Sequence, residues 1–402
     1  MSQRYQGGIL GVGFNPLQAP NAPTIGTATS CTATTASVTF TAPANVGGSA
    51  ITGYTARSDP TGYSGAAAGS PITVSGLSTG TSYTFGVFAL NSYGPSPISA
   101  FSNSVTPLPP TGTFAVFALG TAPTASTTRN TYTYSGDVVS AGGAATAASR
   151  DGSAAGNSTF GIFALGSVSS AASITRNKYT YFGCVVSAGG AATVASCQGS
   201  ATGNSTVGIF ALGNACSIVS TRDKYTYSGC VVGAGGAATV ASYTGSAAGN
   251  STVGIFALGR NASFVKVTTR NKYTYSGDIV SAGGAASVAT SNGSAAGNAT
   301  VGIFALGSTA SCCAPTTTRD KYTYSGCSVA AGGAATTASF SGSAAGNSTV
   351  GIFALGYNSC FSLLTTRNKY TYSGDTVSSA TAATAASAAG SAASNGTTGV
   401  NM

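Results

Sequence analysis

Seven aspartates (Asp59, Asp137, Asp151, Asp223, Asp278, Asp320 and Asp375) are the only acids in this 402-residue chain, which has no His, no Glu and no Trp. Without imidazole, the side chain best suited to moving protons near neutral pH is missing. A glycosidase would have to pair two of the aspartates. Asp137, Asp278 and Asp375 instead recur at one position of three sequence repeats, and no acids converge in the pattern. The nine cysteines include no C-x-x-C pair, so a zinc site is disfavoured. The expectation is a protein that is not an enzyme, with no catalytic residues, no metal and no cofactor.

Sixteen Lys and Arg against seven acids give a formal net charge of +9. Arg129, Arg176, Arg222, Arg270, Arg319 and Arg367 hold one repeat position, and Lys178, Lys224, Lys272, Lys321 and Lys369 follow two residues later. On a ring these charges would form a circle able to hold an anionic polysaccharide or a negatively charged particle surface. At an R-N-K or R-D-K hairpin tip they would simply be solvated. They are not gathered into a tail or an amphipathic helix, so nucleic acid is not an expected partner. The tyrosine pairs, such as Tyr225/Tyr227 and Tyr273/Tyr275, lie on one strand face and suit sugar stacking or packing.

After S-G or F-G the repeats carry Asp137, Cys184, Cys230, Asp278, Cys327 and Asp375 in turn. The repeats with Cys230 and Cys327 also carry Cys216 and Cys312/Cys313 in the preceding loop. This co-occurrence predicts local disulfides: Cys216 with Cys230, Cys327 with Cys312 or Cys313, and Cys184 with Cys197. Closing a ~15-residue loop contributes about 3 kcal/mol in the chain-entropy view. An odd cysteine count leaves one thiol over.

The elements that must position these residues come from a period. F-A-L-G ends at Gly120, Gly166, Gly213, Gly259, Gly307 and Gly356, at steps of 46, 47, 46, 48 and 49 residues. A unit of this size is one supersecondary element that must bury its apolar face against its neighbours. S-T-V-G-I-F-A-L-G reads as a buried strand and K-Y-T-Y-S as another, with Gly- and Asn-bearing turns between. The array starts at Thr113 inside the F-A-L-G strand, and residues 390–400 are a degenerate copy of the missing lead-in. Joined, the two ends complete a sixth unit, which a linear stack has no use for. The predicted fold is all-β, with residues 113–402 a six-bladed β-propeller closed by both chain ends; a β-solenoid or fibre is the alternative. Between F-A-L-G and T-T-R the loops differ in every repeat (TAPTAST, SVSSAASI, NACSIVS, RNASFVKV, STASCCAPTT, YNSCFSLLT). Any recognition is expected there first.

Residues 20–107 form short alternating strands separated by Pro/Gly/Asn turns, and the G-L-S-T-G-T-S-Y phrase ends at Tyr83. This stretch resembles the bacterial type of fibronectin type III domain. The resemblance implies a β-sandwich spacer in which Tyr83 is the tyrosine-corner residue, and Val38 or Phe40 fills the place of the missing Trp. Residues 108–112 are a Pro-rich linker. The repeat resembles a degenerate Kelch unit, with one Gly where the family has two.

Residues 1–19, with Tyr5, Ile9, Leu10 and Phe14, read as a docking arm that orders on a partner. The start lacks the features of a signal peptide, and no stretch is long and apolar enough to insert into a membrane. Arm, spacer and loop-decorated head together look like bacteriophage virion proteins. That resemblance implies a non-enzymatic capsid decoration or tail component, in many copies per particle. Its expected partners are other virion proteins through residues 1–19 and host-surface polysaccharide through the head. A self-assembling extracellular filament or surface-layer subunit is the alternative.

Overall fold

The computed structural model describes residues 17–30, 34–78, 80–107, 113–122, 124–181, 184–215, 217–309 and 314–396. The chain divides into two compact units, 1–111 and 112–402. The proposed arm residues Tyr5, Ile9, Leu10 and Phe14 lie outside the described residues.

In the first unit, β1 (Thr24–Thr29), β2 (Thr35–Thr41) and β5 (Ile72–Ser75) make one antiparallel sheet. β4 (Ser64–Ala67), β3 (Gly53–Asp59), β6 (Thr84–Asn91) and β7 (Gly94–Pro95) make the other. Alternation puts Val38, Ala56, Ile72, Val74, Phe85 and Val87 in the core with no exposed surface. Phe40 packs on Tyr54 with ring centroids 4.6 Å apart, in the space expected for Trp. The Ser78 backbone N–H donates to the Tyr83 hydroxyl at 3.2 Å, the tyrosine-corner bond. Beyond β7 the chain runs beside β6 with a period of three, not two. Ser96, Ser99 and Ser102 each accept, through their hydroxyls, the N–H of Ala89, Val87 and Phe85.

The second unit consists mainly of six four-stranded antiparallel sheets. The sheet of the second repeat runs Ser153–Gly156, Phe160–Ala164, Arg176–Thr180, Val185–Ala188, from inner to outer strand. The third to sixth repeats reproduce it, with inner strands Ser200–Gly203, Ser246–Gly249, Ser294–Gly297 and Ser343–Gly346. In the first sheet the inner strand is Ser391–Ser394 from the far end of the chain, paired with Phe114–Ala118. Ser391 lies opposite Ala118 as Ser153 lies opposite Ala164, so the two chain ends build one sheet in the common register.

Successive inner strands pack on one another, and the sixth packs on Ser391–Ser394, which in turn meets Ser153–Gly156. A chain of backbone hydrogen bonds marks the same cycle. The N–H of Asp151 donates to Ala389, Gln198 to Asp151, Thr244 to Gln198, Asn292 to Thr244, Ser341 to Asn292 and Ala389 to Ser341, at 2.8–2.9 Å. All six residues have φ of 52–56°. The F-A-L-G glycine lies beneath this cycle: Gly166 has φ 70°, and a Cβ there would collide with the Asp151 carbonyl. That double requirement explains why the phrase ends in Gly every time.

Between sheets, the small inner residues Ala154, Ala155 and Ala201 are fully buried, and Phe, Ile and Tyr fill the wider space outward. Phe163 packs on Tyr179 at 6.3 Å and Tyr179 on Tyr181 at 6.1 Å. The tyrosine pairs are therefore packing residues and offer no surface for sugar stacking.

Candidate functional site

The repeated arginines correct the sequence expectation. None of the six is more than 1% exposed, and each opens the third strand of its sheet, away from any hairpin tip. Each guanidinium stacks on the F-A-L-G phenylalanine of the next sheet, 4.4–4.7 Å from the ring centroid. Each also donates to the residue after the next arginine. Arg176 reaches Asp223 and Arg270 reaches Asp320, both at 2.7 Å. Arg129, Arg222 and Arg319 reach Asn177, Asn271 and Asn368, all at 3.1 Å, and Arg367 closes the series on Asn130 at 3.3 Å. A flat, weakly hydrated cation suits such a slot. Burial pulls Arg129, Arg222, Arg319 and Arg367 down to about 10. These arginines are inter-sheet rivets and cannot meet an external anion.

The lysines of the same ring are also largely engaged. Lys224, Lys321 and Lys369 reach across to Asp278, Asp375 and Asp137 of the next sheet at 2.8, 2.9 and 3.2 Å, with both partners about a third exposed. Asp278 and Asp375 also accept from the hydroxyls of Tyr273 and Tyr370 at 2.7 Å. Burial raises both carboxyls, but the lysine and tyrosine bonds outweigh it and hold them below the ordinary aspartate range. Lys178 sits over Phe160, 4.2 Å from the centroid. Lys272 holds the same register position opposite Ile255.

The disulfide expectation is overturned as well. Cys230 and Cys327 are free thiols, so neither is bonded to Cys216, Cys312 or Cys313, which lie outside the described residues. Cys197 is also free, whereas Cys184 is disulfide-bonded, so these two do not pair with each other. The reason lies between sheets. Cys230 Sγ stands 4.0 Å from Lys178 Nζ, in the slot that Asp278 fills against Lys224. Asp278, Asp375 and Asp137 pair with the lysine of the neighbouring repeat at this position, and Cys230 stands in the same place opposite Lys178.

With the interior accounted for, the differences between repeats fall in one place. Two residues before each inner-strand Gly-Ser change every time: Arg150-Asp151, Cys197-Gln198, Tyr243-Thr244, Ser291-Asn292, Phe340-Ser341 and Ala388-Ala389. The second of each pair forms the hydrogen-bonded cycle. The first is bridged to the start of its own repeat's variable loop, which is bridged in turn to the loop's returning arm. The six rows are Ala388–Thr121–Ala125, Arg150–Ser167–Ala172, Cys197–Asn214–Ile218, Tyr243–Arg260–Lys266, Ser291–Ser308–Pro315 and Phe340–Tyr357–Leu363. Residues directly opposite in antiparallel strands share a face, so each row presents three side chains together. The variable loops were legible as candidates; the two-residue window beside them was missed, although it differs in every repeat between a constant A-S (A-T at Ala289-Thr290) and the G-S that follows.

Two loops share a further device. Asn261 Oδ1 accepts the N–H of Ser263 and Val265, both at 3.0 Å, and Asn358 Oδ1 accepts those of Cys360 and Ser362, both at 2.9 Å. These Asx turns hold Phe264 and Phe361 at φ 63° and 57°, 67% and 54% exposed. Phe264 meets Tyr243 edge-on at 6.2 Å, and Phe361 meets Phe340 edge-on at 5.5 Å. Inside the cycle, a cavity of about 50 Å³ is lined by Gly-Ser pairs such as Gly152–Ser153 and Gly199–Ser200. That is room for one or two waters. The arrangement is a constant frame carrying six chemically different rows, whose side chains range from buried (Ser291, Ser308, Ala388) to exposed (Arg150).

Residues 21–105 match the fibronectin type III domain family. Among solved structures, domains A168–A170 of titin are 30% identical over 22% of this chain and 32% of their own, with a TM-score of 0.20. This chain therefore spans about a third of the length of that fragment. No curated protein matches the chain. The first unit thus carries a fibronectin type III domain.

Proposed function

We propose that the chain is a non-enzymatic bacteriophage virion protein, a capsid decoration or tail component. In this reading residues 113–402 are a six-bladed β-propeller of Kelch-like repeats that binds host-surface glycan through its loop face. The cyclic hydrogen bonds and the sheet shared by both chain ends favour a closed propeller over a solenoid. The observation that carries the function is the concentration of repeat-to-repeat difference into the six rows, on a frame whose buried residues hardly change. Loop segments held by a rigid frame tolerate change and are where binding residues are disproportionately placed. All six aspartates of this unit are in ion pairs, which leaves poor material for acid–base catalysis. The fibronectin type III domain acts as spacer and residues 1–19 as the particle anchor.

The test has two arms. Density-banded phage is probed for the full-length chain and a form lacking residues 1–19, and the purified chain is titrated against host polysaccharide. Co-banding that needs residues 1–19, together with saturable glycan binding, is the expected outcome. Polymers that pellet without any particle overturn the virion reading. They would favour a filament or surface-layer subunit, for which the exposed apolar side chains opening the outer strands (Val138, Val185, Val231 and Ile279, all 54–60% exposed) are a suitable contact.

A further inference from the structure

We infer that the row Tyr243–Arg260–Lys266, with Phe264 above it, is a subsite for an acidic sugar whose carboxylate is attached directly to the ring. This rests on the glycan-binding reading of the loop face and names the class of glycan. Arg260 lies opposite Tyr243 on one side and opposite Lys266 on the other. Two like charges thus stand face to face across a short hairpin, an arrangement that a bound anion would favour.

The six aspartates of this unit pair with other cations. Both cations are aimed at hydroxyls of the next repeat instead: Arg260 Nε donates to Ser291 at 3.3 Å and Lys266 Nζ to Ser308 at 2.9 Å. Ser291 and Ser308 are only 2% exposed, so the two charges are steered to one spot by buried partners.

The aromatic part fixes the class of anion. Tyr243 is the cross-strand neighbour of Arg260, and Phe264 meets its ring edge-on. A saccharide ring packed on these aromatics puts a substituent on that same ring over Arg260. A uronic-acid carboxylate is such a substituent, and the Arg fork matches its two oxygens. A phosphate linking two sugars would sit beyond the stacked ring. The equivalent row of the sixth repeat, Phe340–Tyr357–Leu363, has the aromatics without the cations. The acidic specificity therefore belongs to this one row.

The full chain is titrated against polygalacturonate, dextran and a poly(glycerol phosphate), with thermal melting as the folding control. Arg260→Gln/Lys266→Gln is expected to weaken polygalacturonate binding by about tenfold or more and to flatten its salt dependence. Phe264→Ala weakens binding but keeps the salt dependence. Lys272→Gln, which removes charge away from the face, changes nothing. Polygalacturonate binding unaffected by the double substitution, or no tighter than dextran or the phosphate polymer, overturns this subsite while leaving the glycan-binding face standing. No binding to any saccharide overturns both.

Discussion

The slots between sheets and the rows on the loop face are built from the same repeats, yet they follow opposite rules. In every slot an arginine stacks on a phenylalanine and donates to an Asn or Asp. On the face, no two rows share their chemistry. In the slots, each side chain is fixed by a neighbour that is itself a repeat copy, so one substitution damages two sheets. On the face, most side chains meet water, and the backbone bridges carry the structure whatever residue they bear. Constancy therefore reports packing, and difference reports freedom that a ligand can use.

The sharpest break should come from the slots with a full charge on both sides. Arg176→Ala leaves Asp223 buried without its cation, and the expected loss is about 3–5 kcal/mol. Arg222→Ala leaves a neutral Asn271 and should cost less. Urea unfolding of both variants decides this; equal losses would mean that the stacking on Phe210 and Phe256 dominates and the charge is incidental. Asp223→Asn converts one slot into the form already used at Arg222, so its cost should stay below about 1.5 kcal/mol.

The first sheet offers a smaller contrast. The Tyr134 hydroxyl donates to Ser394 at 3.1 Å, a serine present only in the strand from the far chain end, where the other repeats have Gly. Tyr181 and Tyr227 have no such partner among the described residues. Tyr134→Phe should therefore cost about 1 kcal/mol, whereas Tyr181→Phe should be neutral or stabilising in the same melt.

Much of the frame was legible in the sequence. The F-A-L-G period fixed the repeats, and the truncated start and degenerate end foretold a shared sheet. Tyr83 was readable because its bond is local. The arginines were not, because only a neighbouring sheet's Phe and Asn can bury a residue whose default place is the surface. The cysteines misled for a related reason: co-occurrence within a repeat was read as a local bond, whereas Cys230 and Cys327 are free and Cys230 faces Lys178 of the previous repeat.

Acid titration separates the two regions by sign. Asp278 and Asp375 have folded pKa values below the ordinary 3.8. Their contribution to stability is present above that value and is lost as the pH falls through the lowered one. Asp151, beside the face, is raised by burial against the weaker pull of Arg150. Its contribution is full below 3.8 and lost as the pH rises through the raised value. Asp278→Asn should thus shrink the acid-induced loss of stability, whereas Asp151→Asn should leave neutral-pH stability unchanged or slightly higher. The effects are modest, since these groups keep contact with solvent. Parallel pH–melting curves for both variants are the check, and the same sign from both would contradict the contrast.

The smallest expected effect on stability comes with the largest on binding. Loops 260–267 and 357–364 have equal length, the same Asn-anchored turn and equivalent bridges, Arg260 to Lys266 and Tyr357 to Leu363. Grafting R-N-A-S-F-V-K-V into 357–364 should move the melting free energy by no more than about 0.5 kcal/mol, as for a surface change. It should also create a second acidic-sugar subsite, raising the stoichiometry of polygalacturonate fragments from one to two by calorimetry. The new site will be the weaker one. Ser308 is matched there by Thr121, but the place of the Ser291 hydroxyl is taken by Ala388. A graft that melts normally and stays at one site would mean that the next repeat's serines, more than the loop's cations, define the subsite.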